Sequence, residues 1–98
     1  MRRITVDELA DRPDLPLIDV REPDEYAAGH VPRARNVPLG SVAARVDELA
    51  ASGSFAVICQ SGRRSAQAVE VLSASGAAAV NVDGGTAAWA ASGRALAS

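Results

Sequence analysis

The chain has 98 residues, a formal net charge of −2, ten arginines with no lysine, one cysteine and one histidine. That length suits one domain over residues 1–98, and its core should be small and aliphatic, because alanine is abundant and only Tyr26, Phe55 and Trp89 are aromatic. The counts exclude an internal disulfide and a cysteine-cluster metal site, and they argue against a histidine zinc site and against bulk attraction to nucleic acid or an anionic membrane.

The opening "MRRITVDELADRPD" does not read as a signal peptide, because Asp7, Glu8 and Asp11 interrupt any apolar region. No run approaches the roughly 20 apolar residues of a membrane span. The expected location is the cytoplasm, where a free thiol stays reduced. Thr5 followed three residues later by Glu8 is a capping-box pattern and predicts a short helix. "LPLIDV", residues 15–20, reads as a buried strand. Residues 22–29 read as a brief helix, with Pro23 in its first turn and Gly29 as its stop. "ARNVPLG", residues 34–40, is an extended piece, and Asn36 serves a turn or strand start there. Residues 41–53 predict one helix with Ser41 as N-cap, an apolar stripe of Val42, Val46 and Leu49, and Gly53 at its end.

"FAVIC", residues 55–59, is continuously apolar over a strand's length, as expected for a strand buried on both faces. Residues 65–76 predict a helix with Val69 and Leu72 inward and Gly76 as its stop. Residues 78–85 read as a strand running into a tight turn at Gly84 and Gly85. A last helix is expected over residues 86–93, with Thr86 as N-cap and Trp89 as a core anchor. The alternation of strands and helices predicts a small α/β domain with a mainly parallel central sheet. Strand order does not follow from the pattern.

Cys59 falls at the carboxyl end of a central strand, where open α/β sheets place their ligand sites. The loop that follows, Gln60, Ser61, Gly62, Arg63 and Arg64, is polar, and Gly62 permits tight curvature. Such a loop can turn successive backbone N–H groups inward as an anion nest. The helix starting near Ser65 adds its positive end, and the two arginines add full charge. All three effects favour thiolate over thiol. A lone cysteine ending an apolar strand is also a common buried filler. Two arginines at a helix start oppose the helix dipole, however, and an anion beside them removes that conflict.

Three stretches together resemble the rhodanese-like domain family, specifically its short single-domain sulfurtransferases. They are "LIDVREPDEYAAGHVPRARNVPLG", "VICQSGRRSAQAVEVL" and "VNVDGGTAAWAASG", which stand in family order and cover nearly the whole chain. The resemblance implies a mostly parallel five-stranded sheet flanked by helices on both faces. It implies that Cys59 takes a sulfane sulfur from a small anionic donor such as thiosulfate. The persulfide then passes to a thiophilic acceptor: cyanide, a small thiol or a sulfur-accepting protein. Gln60, Ser61, Gly62, Arg63, Arg64 and Ser65 would cradle the persulfide and the donor's oxygens, with no metal or organic cofactor.

Related cysteine phosphatases separate cysteine from arginine by five residues. Here four residues, Gln60 to Arg63, separate Cys59 from Arg64, and position 65 is serine, so phosphatase or arsenate-reductase chemistry ranks low. A non-catalytic binding or regulatory module ranks below the enzyme, because inactive members commonly lack the cysteine. A relay to one protein partner needs the same cradle as the enzyme, and sequence does not separate the two.

Asp19 and Arg21 are expected to support the site from a strand end, as a structural ion pair involving, for example, Arg21 with Glu25. His30 is expected to hydrogen-bond backbone after the stop at Gly29. Arg33 stands where the family usually has glycine.

Overall fold

A computed structural model describes residues 1–51 and 53–98. Five strands form one sheet: β1 (Arg3–Ile4), β2 (Leu17–Asp19), β3 (Arg35–Asn36), β4 (Phe55–Ile58) and β5 (Ala79–Val82). Their order is β1-β5-β4-β2-β3, and every pairing is parallel. Five α-helices connect them: α1 (Val6–Ala10), α2 (Pro23–Ala28), α3 (Val46–Ala50), α4 (Arg63–Ala74) and α5 (Gly85–Ala91). Two 3₁₀ turns, Leu39–Ser41 and Ala43–Arg45, precede α3.

The strand period of two divides the core between the two faces of the sheet. Ile18, Phe55, Val57 and Ala79 pack with Leu49 of α3 and with Ala68, Val69 and Leu72 of α4. Leu17, Ala56, Ile58, Val80 and Val82 pack with Val6 and Leu9 of α1 and Trp89 of α5. Helices therefore cover both faces, and the continuous apolarity of "FAVI" is explained: all four residues are buried. β4 is the middle strand, so its carboxyl end is flanked by the ends of β2 and β5.

The predicted capping box of α1 forms, with the Glu8 N–H donating to Thr5 Oγ1 at 3.1 Å and the Thr5 N–H to Glu8 Oε1 at 2.9 Å. Pro23 opens α2 behind Glu22 as N-cap. Three expectations change. The helix predicted over 41–53 is broken into two 3₁₀ turns and the short α3, and position 52 lies outside the described residues. Backbone bonds from Val37 to Asp19 and from Leu39 to Val20 tie the chain just before this segment to the end of β2. With Val42 buried, the chain tightens into i→i+3 bonds, and Arg45 at φ −115°, ψ 15° separates them from α3. Ser41 accordingly caps nothing. The sheet also gains β1, too short to show a period, which pairs Arg3 with Asn81 and Ile4 with Val82. Finally, α5 begins at Gly85 behind Gly84, so Thr86 lies inside the helix.

Phe55 is 1 % exposed and packs on the α3–α4 face of the sheet. Phe55→Ala should lower unfolding free energy by about 3–5 kcal/mol, through lost burial and the cavity left behind. Denaturant titration checks this, with the midpoint falling and the slope unchanged.

Candidate active site

Cys59 follows the last residue of β4, and the loop to α4 curls over its sulfur. The Gly62 N–H donates to Cys59 Sγ at 3.1 Å, and the Ser65 hydroxyl donates to it at 3.3 Å. Gly62 makes the curl possible from the left-handed region, at φ 103°, and is the N-cap of α4. Burial pushes the Cys59 thiol up. The Ser65 hydroxyl and the backbone N–H groups of Ser65, Gly62 and Ser61 outweigh burial, and the net shift is downward. The sulfur is sheltered: Cys59 is 1 % exposed and Ser65 is fully buried, whereas Gln60, Ser61 and Arg63 are exposed.

Inward N–H groups require outward carbonyls, and the first turn of α5 receives them. The Cys59 carbonyl accepts from the Thr86 N–H at 2.8 Å and from the Thr86 hydroxyl at 3.0 Å. The Gln60 carbonyl accepts from the Ala87 N–H at 3.0 Å. Gly85 makes this approach possible. It sits at φ 59°, and a Cβ there would lie 2.4 Å from the Cys59 carbonyl oxygen. Thr86 and Gly85 are thus positioning residues that the sequence reading assigned only to a cap and a turn. Their signal was present as the "DGGT" stretch, but its proximity to the cysteine loop comes from the β4–β5 pairing. Asn81 on β5 adds a weaker tether, its Nδ2 3.4 Å from the Gly62 carbonyl.

Asp19 and Arg21 form a buried pair beside this loop. Both Asp19 oxygens accept from the Arg21 guanidinium at 2.9–3.2 Å, and Asp19 Oδ1 also accepts the Arg21 N–H. Arg21 further donates to the Gly29 carbonyl at 2.7 Å and to Gln60 Oε1 at 3.3 Å. It therefore links the end of β2, the end of α2 and the sulfur loop. The pair expected between Arg21 and Glu25 does not form, because Asp19 already occupies the guanidinium. Glu25 instead takes Arg64, with Nη1 to Oε1 at 2.6 Å and Nη2 to Oε2 at 2.9 Å. The Arg64 side chain holds the Glu25 carboxyl at about 2, well below the usual carboxylate range. Arg63 is exposed and forms no ion pair among the described residues.

Asn36 donates to the Asp19 carbonyl at 3.0 Å and to the Arg21 carbonyl at 2.9 Å, holding the strand end in place. His30 bonds backbone as expected, through Nδ1 to the Tyr26 carbonyl at 2.7 Å, and stacks on the Tyr26 ring. Arg33 keeps the left-handed conformation that glycine would favour, at φ 72°. Its guanidinium reaches the Leu15 and Arg12 carbonyls, before the start of β2 and at the opposite end of that strand from the sulfur loop.

The family profile described as "Rhodanese-like domain" matches residues 5–92, and the chain belongs to this family. It is 39 % identical over 83 residues to a protein of Allochromatium vinosum named sulfurtransferase, covering 84 % of this chain and 78 % of that one. It is 40 % identical over 70 residues to the thiosulfate sulfurtransferase PspE of Escherichia coli, covering 69 % and 67 %. The crystal structure of a rhodanese-related protein from Thermoplasma volcanium superposes with a TM-score of 0.92 at 34 % identity, covering 99 % of this chain and 98 % of that one.

Two outcomes check this geometry. Ser65→Ala removes a donor to the sulfur, so the thiolate absorbance of Cys59 should appear at higher pH than in the parent. An unchanged midpoint would show that the hydroxyl does not stabilise the thiolate. Asp19→Ala leaves Arg21 buried and unpaired and should cost about 3–5 kcal/mol of unfolding free energy, read by denaturant titration.

Proposed function

We propose that this chain is a sulfurtransferase that works through a persulfide on Cys59. The observation that carries the reading is the ring of donors on the thiol: the Gly62 N–H at 3.1 Å and the Ser65 hydroxyl at 3.3 Å. Membership of the rhodanese-like family and the names of the two relatives support sulfur transfer in general.

In the first step the Cys59 thiolate attacks the sulfane sulfur of a donor such as thiosulfate. The donor's S–S bond breaks, and sulfite leaves with the electron pair. Cys59 now carries the outer sulfur, and its negative charge faces the same N–H and hydroxyl donors that held the thiolate. In the second step a thiophile attacks that outer sulfur and the Cys59 thiolate returns. Cyanide, a small thiol or the cysteine of an acceptor protein each fits this step. Both half-reactions need a low thiol pKa and donors fixed in advance, which the loop and the first turn of α5 supply. Gln60, Ser61 and Arg63 form the exposed rim that a donor or acceptor meets first. The cycle needs a free thiol, which a reducing compartment such as the cytoplasm maintains.

Cys59→Ser is nearly isosteric and should keep the fold while lowering thiocyanate formation from thiosulfate and cyanide by at least about a thousandfold. Equal rates in variant and parent would refute the assignment. A parent that never forms thiocyanate, yet passes labelled sulfur to a protein thiol, would favour the dedicated relay.

A further inference from the structure

Three arginines stand around the sulfur loop, and they differ in what already holds them. Arg21 is buried against Asp19, their closest contact being 2.9 Å. Arg64 is half-buried and bound by Glu25 at two points, 2.6 and 2.9 Å. Arg63 alone among the three is exposed and without a carboxylate partner among the described residues. Adjacent arginines in the sequence suggest two free cations for a doubly charged donor. The structure leaves one.

Glu25 reaches Arg64 from α2, 39 residues away in the chain, so the contact bridges α2 and the start of α4. Glu25 beside Arg64 raises the guanidinium's already high pKa, and the charge of Cys59 acts on it in the same direction. Arg64 immediately precedes Ser65, whose hydroxyl donates to the Cys59 sulfur at 3.3 Å, so it stands at the edge of the sulfur loop. Its fork, which matches one carboxylate in two-point geometry, is already filled. An incoming dianion would have to displace Glu25 or meet a site in which that carboxylate cancels the Arg64 charge.

We propose that Glu25 is a specificity-determining residue: by occupying Arg64 it leaves Arg63 as the cation that receives the donor, and it biases the site against dianionic sulfane donors relative to monoanionic ones. This rests on the sulfur-transfer reading of Cys59. The two donor classes react alike. Thiosulfate carries two negative charges and releases sulfite; methanethiosulfonate carries one and releases methanesulfinate. In each case the S–S bond breaks towards the leaving group and one sulfur passes to Cys59.

The test compares kcat/KM for thiosulfate with kcat/KM for methanethiosulfonate, using cyanide as acceptor at low ionic strength. Glu25→Gln removes the charge but keeps an oxygen to accept the Glu22 N–H, the cap contact that Glu25 makes at 3.3 Å. The thiosulfate preference should rise about fivefold in this variant, and high salt should shrink that gain. Adding Arg64→Ala to Glu25→Gln should abolish the gain, because the freed guanidinium is its source. Arg63→Ala, a change on an exposed side chain, should lower the thiosulfate preference even if Glu25→Gln folds poorly. A parent that turns over both donors while its preference is unchanged in Glu25→Gln and Arg63→Ala would overturn the inference. A parent that turns over neither donor and forms no persulfide would instead overturn the sulfur-transfer reading itself.

Discussion

The site depends on where the carbonyls of Cys59 and Gln60 are held. The Cys59 oxygen accepts two bonds from Thr86, and the next carbonyl, of Gln60, accepts one from Ala87. With the Gln60 oxygen engaged on the α5 side, its peptide group turns the Ser61 N–H, one of the donors that lower the thiol's pKa, towards the sulfur. Without that engagement the same loop would be free to present oxygen instead, and oxygen beside sulfur would favour the neutral thiol. The arrangement requires the α5 backbone to come within contact of the loop, and Gly85 is the residue that permits it. The thiolate is thus stabilised by a helix that contributes no side chain to the sulfur.

The parallel sheet makes this possible. β4 lies between β2 and β5, so the segments leaving all three strands meet above the same carboxyl ends. From β2 come Asp19 and Arg21, from β4 the sulfur loop, and from β5 the turn into α5. Arg21 joins two of these segments through Gly29 and Gln60, and Asn36 on β3 holds the end of β2 from the other side. Positive charge is used here largely for construction. Two of the three arginines near the loop are held by carboxylates, and the thiol is held mainly by neutral donors at short range.

The fold class was legible in the chain because hydrophobic runs of strand length alternate with capped helices, and the Thr5–Glu8 box and Pro23 marked helix starts correctly. Cys59 and its loop were legible too, since a glycine and two arginines after an apolar strand are an unusual combination. Partner choice among charges was not. Asp19 and Arg21 stand two residues apart, within reach in one segment, but Glu25 also lies near Arg21 in the chain, and that it takes Arg64, 39 residues on, depends on which segments the strand order brings together. β1 is not legible because two residues carry no period, and the helix expected over 41–53 is interrupted because the chain entering it tightens into 3₁₀ turns with Val42 buried, which propensity alone does not show. Thr86 was assigned a cap from local pattern, whereas its partner lies 27 residues earlier in the chain.

The most direct test is an intact-mass spectrum of the reduced protein after brief incubation with thiosulfate, recorded again after cyanide is added. The account predicts a species heavier by one sulfur atom, located on Cys59 by peptide mapping and removed by cyanide. An unchanged mass with thiosulfate and with methanethiosulfonate would contradict it, and the loop would then be an anion-binding ring without sulfur chemistry.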